Sequence, residues 1–344
     1  MRGSEGSEVD LGEKNPSIFY DTILSCTQQR SMSIISISPA RSLTTTMSQA
    51  LMATEFVPLH NVLACYSQSS VVPIESSSIE RSDARWSDGF TTPSTGVPEP
   101  SQTINSALTG KGLCYNDPNL TWAFEDSPVS WVYNWATQPG GLIPATFEYV
   151  PMLWGTGSIQ SWFSDATNAI NAGSRHLLSF NEPDLPEQAN ISPEEAARAH
   201  ILSMSPFVGR VRIGSPAVSN GVHPNKTIGL AWLESFLRNC EAENCTIDFV
   251  AFHWYNDASQ IDAFEEHVRK VVELTQSYGI EKVWLTEFGV FGSDEEVLLF
   301  LSSALEILGG IEAVERYAYF MCSDGILLNG GAISSLGNIY IGQG

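Results

Sequence analysis

Positive charge is scarce in this chain. Its 344 residues include 17 Lys plus Arg against 39 Asp plus Glu, a formal net charge of -22. A surface of that sign repels phosphate backbones and anionic headgroups, so neither nucleic acid nor a membrane surface is an expected partner. No run approaches the roughly 20 apolar residues of a membrane-spanning helix. Six cysteines and six histidines are scattered, without a CxxC, HxxxH or HExxH spacing, so no metal is expected. GxGxxG and GxxxxGK[ST] are absent too, which removes the usual nucleotide cradles, and no cofactor is expected. What is present is apolar: 43% of the residues are hydrophobic, enough to bury a large core and to exclude a wholly disordered chain.

The composition changes near residue 105. Residues 1–105 lack a sustained helical or strand period and carry Ser/Thr/Pro runs such as Ser76-Ser77-Ser78 and Thr91-Thr92-Pro93-Ser94-Thr95. They read as a disordered arm or a mispredicted N-terminus, with residues 66–105 either a stalk for O-linked sugar or a plain solvated spacer. No early methionine is followed by a convincing signal peptide: the stretch from Met47 to Ala64 is broken by Glu55, Pro58 and His60. Other features still point to an extracellular or cell-wall location. Four sequons, at Asn119, Asn190, Asn225 and Asn244, fall in loop-like segments. Cys240 and Cys245 sit close together in a polar turn, where they are either a local disulfide or two unrelated thiols.

Residues 106–344 carry eight β-rich runs: 111–116, 130–135, 147–154, 175–181, 211–216, 247–255, 282–288 and 316–322. From residue 147 onward most are separated by amphipathic helical patterns. Helix starts are marked by Ser192-Pro193-Glu194-Glu195 and Ser293-Asp294-Glu295-Glu296, each with a Ser N-cap and Glu three residues on. Eight alternating units in this length predict an α/β fold, a (β/α)8 TIM barrel, over the competing doubly wound open sheet, whose Gly-rich phosphate turn is missing. The crossovers 117–129 and 136–146 are short and rich in Pro and Gly, so the barrel is expected to be irregular on that side.

Reactive groups of such a barrel belong at the C-terminal strand ends. The fourth run ends Leu178-Ser179-Phe180-Asn181-Glu182-Pro183-Asp184 and the seventh Trp284-Leu285-Thr286-Glu287-Phe288-Gly289. Either Glu alone reads more readily as a solvated loop charge. Together they form the convergent carboxyl pair that glycoside hydrolysis needs, one a proton donor and the other an anion facing positive charge at the anomeric carbon. Asn181 is placed to bond a sugar 2-hydroxyl. Alternation puts His253 and Tyr255 on one side of the sixth strand, where both are expected to bond Glu287 and hold it ionised; for His253 a satisfied core position is the competing reading. Trp135 and Trp154 reach the rim and offer flat faces to sugar rings, whereas Trp131 reads as core.

These residues resemble the fungal branch of glycoside hydrolase family 128, the alkali-sensitive-linkage-protein-like catalytic domains. The resemblance rests on Gly112-Leu113-Cys114-Tyr115-Asn116, Trp131-Val132-Tyr133-Asn134-Trp135, Pro151-Met152-Leu153-Trp154-Gly155, Phe180-Asn181-Glu182-Pro183-Asp184, Phe252-His253-Trp254-Tyr255 and Leu285-Thr286-Glu287-Phe288-Gly289, in order, and spans about residues 108–342. It implies an endo-β-1,3-glucanase of clan A acting by double displacement, with Glu182 as acid/base and Glu287 as nucleophile. It also implies β-glucan as partner; a monomer is expected. Asn134 joins the substrate contacts, as does Tyr319, in an eighth strand reading Tyr317-Ala318-Tyr319-Phe320 where related barrels commonly carry Trp. The competing readings are a wall protein that binds β-glucan without cutting it, and a glucanase of another linkage.

Overall fold

The computed structural model describes residues 110–343; the expectations for residues 1–105 lie outside the described residues. The elements alternate as expected: β1 (Lys111–Tyr115), β2 (Trp131–Tyr133), β3 (Glu148–Tyr149), α1 (Ile159–Asn171), β4 (His176–Leu177), α2 (Pro193–Met204), β5 (Arg212–Ile213), α3 (Leu230–Glu243), β6 (Val250–Asp257), α4 (Ile261–Ser277), β7 (Val283–Phe291), α5 (Asp294–Gly310) and β8 (Val314–Cys322). A short hairpin, β9 (Leu328–Asn329) and β10 (Ala332–Ile333), and α6 (Ser335–Ile341) follow. Among the described residues no helix is long and apolar enough to cross a membrane.

Six strands pair in the order β3-β2-β1-β8-β7-β6, and β4 pairs with β5. Single bridges join the two sets, Met152 with Leu178 on one side and Gly214 with Phe249 on the other, so all eight strands close a parallel ring in chain order. This is the (β/α)8 barrel. Its irregular side is where the sequence put it and extends further: the first crossover holds only a 3-10 helix, Pro118–Phe124, and β2 to β5 are two or three residues long. The expected helix starts are real. Ser192 caps α2 by accepting from the Glu195 N–H at 3.3 Å, and Ser293 and Glu296 form a reciprocal capping box at α5.

Strand alternation sorts the apolar residues into two cores. One lies between barrel and helices; the other fills the barrel and includes Cys114, Trp131, Tyr133, Met152, Phe249, Ala251, Trp284 and Ala318. Large rings there face very small residues. A Cβ on Gly112 would lie 2.2 Å from Trp131 Cε2, so only glycine fits under that indole. Gly112→Ala is therefore expected to cost about 1–3 kcal/mol by overpacking and to lower the thermal midpoint by roughly 4–10 °C. An unchanged midpoint in a melting experiment would remove this account of the packing.

Candidate active site

Glu182 leaves the barrel just beyond β4, its N–H bonded to the Ala217 carbonyl at 2.7 Å, while Glu287 sits within β7 rather than at its end. β7 runs on to Phe291, and irregularities in its register with β6 and β8 bracket Glu287. Such bulges re-aim a side chain without ending the strand. Both carboxyl groups are 4% exposed, and they face one another at the C-terminal mouth. Between them stands the fully buried His253, with Nδ1 2.9 Å from Glu182 Oε1 and Nε2 3.4 Å from Glu287 Oε1. One oxygen from each carboxylate and a His253 ring nitrogen all lie within 4.8 Å of one another.

The surroundings of the two acids differ. Glu287 is gripped by neutral donors: Tyr255 O–H at 2.6 Å on Oε2, Trp135 indole N–H at 2.7 Å on Oε1, and Tyr133 O–H at 3.4 Å. Glu182 has His253 as its charged partner. Burial pushes the Glu182 carboxyl up to about 7; His253 opposes the rise and the Glu287 charge adds to it. For His253 burial works against protonation, yet the two carboxylates outweigh it and raise the ring's affinity for a proton. Burial, reinforced by the Glu287 charge, lifts both Tyr133 and Tyr255 well above the ordinary phenol range, so they remain hydrogen-bond donors.

The loops that carry these groups are tied together. Asp184 accepts from the Ser219 N–H and hydroxyl and from the Gly229 N–H, at 3.1, 2.6 and 2.9 Å, locking the segment after Glu182 to the loop after β5. Asn220 bonds the backbone of Tyr255 in both directions, at 3.0 and 3.1 Å. Of the four non-glycine residues with left-handed backbone among the described residues, two belong to this site, Trp135 at φ 57° and Glu182 at φ 39°. Strain of this kind persists where surrounding contacts over-determine the conformation, as here on either side of the carboxylate pair.

Several expected contacts are redistributed. Tyr255 does bond Glu287, but His253 makes its hydrogen bond to Glu182 and only an ionic contact to Glu287, because the register irregularity between Phe252 and His253 offsets the ring. Trp135 is half-buried and bonds Glu287 through its indole nitrogen, a role its rim position did not reveal. Asn181 is buried with Oδ1 lacking any partner and Nδ2 3.3 Å from Gln188, which leaves an acceptor beside Glu182. Trp154 stays partly open above the inner core.

Asn134 is half-buried, donating to the Gln138 carbonyl and accepting from Tyr149 O–H. One expectation is corrected. Tyr319 is 2% exposed in the outer core, its ring 5.1 Å from that of Phe288. The inward neighbour is Phe320, partly open and with its ring 5.7 Å from those of both Trp135 and Tyr255. Ala318, deep in the barrel, shares that face, and spacing by two from such a small interior residue was the usable signal. The disulfide joins Cys240 to Cys245.

Glu182, His253 and Glu287 are of metal-ligating type. A metal needs an unprotonated ring nitrogen, however, and the flanking carboxylates favour the proton on His253. Trp135→Phe tests the grip on Glu287 while keeping a ring of similar shape. Loss of one hydrogen bond to a charged group is worth about 1.5–3 kcal/mol, so kcat is expected to fall roughly 10- to 100-fold with little change in KM. A loss confined to KM would assign Trp135 to sugar stacking alone.

Residues 112–340 match the family model described as glycosyl hydrolase catalytic core. A curdlan-specific exo-β-1,3-glucanase of GH128 subgroup III from Blastomyces gilchristii, solved with glucose, is 48% identical, covering 69% of this chain and 99% of that one at a TM-score of 0.65. A GH128 subgroup I endo-β-1,3-glucanase from Amycolatopsis mediterranei, solved with laminaritriose, is 30% identical, covering 69% and 100% at a TM-score of 0.59. Alkali-sensitive linkage protein 1 of Schizosaccharomyces pombe is 30% identical over 256 residues, 68% of this chain and 43% of that protein. The chain thus spans less than half the length of that curated relative.

Proposed function

Because the chain belongs to the glycosyl hydrolase catalytic core family, as a GH128 domain, we propose that it hydrolyses β-1,3-glucan with net retention, Glu287 being the nucleophile and Glu182 the acid/base. The observation that carries this reading is the closeness of the carboxylates, one oxygen of Glu182 lying within 4.8 Å of one oxygen of Glu287. Retaining enzymes hold their two groups about 5–5.5 Å apart, whereas inverting enzymes leave about 6.5–9.5 Å for an intervening water. Glu287 attacks the anomeric carbon as the glycosidic C–O bond breaks, and Glu182 hands its proton to the departing oxygen. Glu182, now a carboxylate, then takes a proton from water, whose oxygen displaces Glu287 and frees the sugar. Trp135, Tyr255 and Tyr133 hold the attacking carboxylate in one orientation. Phe320, Trp135 and Trp154 supply uncharged faces for the sugar.

The mode of attack has two readings. The Blastomyces gilchristii enzyme at 48% identity is exo-acting and the Amycolatopsis mediterranei enzyme at 30% is endo-acting, so we assign exo release ahead of the endo mode expected from sequence. The formed disulfide and the exposed sequon residues Asn119, Asn190, Asn225 and Asn244 favour an extracellular or cell-wall setting. One digestion of linear β-1,3-, β-1,4- and β-1,6-glucans, followed by product analysis and anomeric NMR, tests all of this. Glucose as the first product, born as the β anomer from the β-1,3 polymer, is expected. A ladder of laminari-oligosaccharides restores endo action, the α anomer excludes retention, and tight binding without new reducing ends leaves a glucan-binding protein.

A further inference from the structure

The opposite end of the barrel concentrates the charge that the chain otherwise lacks. Arg175, Arg210, Arg212 and Arg316 line one open recess of about 740 Å³ beside the starts of β4, β5 and β8. They are four of the eleven Lys and Arg among residues 110–343. Elsewhere Arg198, Arg238, Arg269 and Lys270 are each neutralised by a Glu one helical turn away. In and beside the recess the acids already accept hydrogen bonds from the protein. Glu148 accepts from Arg316, the His176 ring and the Arg175 backbone N–H, and both Glu315 oxygens accept from Arg212. Asp248 accepts from the Ile213 N–H.

A surplus of donors remains. Exposed Arg175 has no carboxylate within ion-pair reach among the described residues, and exposed Arg210 lies over the Phe207 ring, 5.7 Å from its centroid. Arg316, stacked 4.5 Å above the Trp284 ring, keeps a buried Nη1 without any partner. The cations also press on one another. Arg316 has its pKa lowered chiefly by burial, with the Arg175 charge adding to it, and His176 is lowered chiefly by burial, with Arg316 and Arg212 adding to it. A ligand that relieves such crowding is an anion with several acceptor oxygens, matched to the planar guanidinium fork.

We propose that this recess binds a tetrahedral oxyanion of the phosphate class, gripped by the guanidinium groups of Arg175 and Arg210 with the charges of Arg212 and Arg316 behind them. The site lies at the end of the barrel away from Glu182 and Glu287 and does not depend on their chemistry. Its occupant is either free phosphate or a phosphate monoester carried on a saccharide. Bound there, it bridges the segments leading into β4 and β5 and stabilises the folded barrel by mass action.

The experiment is thermal unfolding of the full chain in inorganic phosphate and in glucose 6-phosphate, against chloride at matched ionic strength and against glucose. Parent, Arg175→Ala/Arg210→Ala and Arg175→Lys/Arg210→Lys proteins are compared. At ligand concentrations about a hundredfold above Kd, a saturable rise of about 5 °C or more is expected in the parent. It should vanish in the alanine pair and return in part in the lysine pair, with glucan hydrolysis unchanged throughout. A rise with inorganic phosphate supports the free ion as occupant; a rise with the sugar phosphate alone supports the saccharide-borne group. An equal rise in chloride, or one that survives in the alanine pair, overturns the proposal, and does so whether or not the chain proves to be a glucanase.

Discussion

Replacing Glu287 with Ala is expected to abolish glucan hydrolysis, with kcat lower by on the order of 10⁴–10⁶, because the variant loses the carboxylate proposed to form the covalent glycosyl-enzyme. Azide should then act as a substitute nucleophile. It attacks from the side the carboxylate has vacated, the leaving group departs with its bonding electrons, and an α-glucosyl azide accumulates from a β-glucoside with a good leaving group. The variant also strands the buried donors Tyr255 O–H and Trp135 N–H, at about 1–3 kcal/mol each, so Glu287→Gln is the control that retains an oxygen acceptor and the side-chain volume. A soluble, folded Glu287→Gln protein keeping more than a tenth of the parent rate would falsify the nucleophile assignment.

The second large effect belongs to Glu182, and it depends on the substrate. Without an acid, cleavage of the polymer should slow by about 10²- to 10⁴-fold. A dinitrophenyl glucoside, whose leaving group needs no proton, should still form the glycosyl-enzyme in Glu182→Ala at a rate near the parent's, and azide should release it as the β-glucosyl azide. Burial, reinforced by the Glu287 charge, raises Glu182 to about 7. As the proton donor it must be protonated, so kcat/KM is expected to fall as pH rises through about 7, and this alkaline limb should vanish in Glu182→Gln. Equal losses on both substrates would show that Glu182 does not supply the proton.

Stability carries the same signature. The folded protein holds the Glu182 proton up to about 7, against 4.5 for an ordinary Glu. Folding stability from this group is therefore full below about 4.5 and is lost as pH rises towards 7. Glu182→Gln should melt several degrees above the parent at pH 8, and the gap should close at pH 4. A site that keeps a carboxyl group buried in readiness for proton transfer is less stable at neutral pH than its inert counterpart.

The barrel was legible because each unit signals itself locally. Ser293 and Glu296 mark the start of α5, and apolar runs of the right length mark the strands, whatever the rest of the chain does. The carboxylate pair was legible for a related reason: an acid ending an apolar strand is conspicuous at Glu182 and Glu287. Tyr319 misled because residue type was taken ahead of parity. Counting by two from Ala318 selects Phe320, and a bulged strand shifts such a count wherever the bulge falls.

The sequence by itself determined the eight units, their caps, the two acids and the family. Only the tertiary structure decided that His253 bonds Glu182 rather than Glu287, that the Trp135 indole holds a carboxylate 152 residues away, and that Arg175, Arg210, Arg212 and Arg316 share one recess. The reason is physical. Helix and strand periods are set by neighbours a few residues apart, whereas the partner of a hydrogen-bond donor or of a charge is set by ring closure and strand register, which join segments that carry no local record of one another.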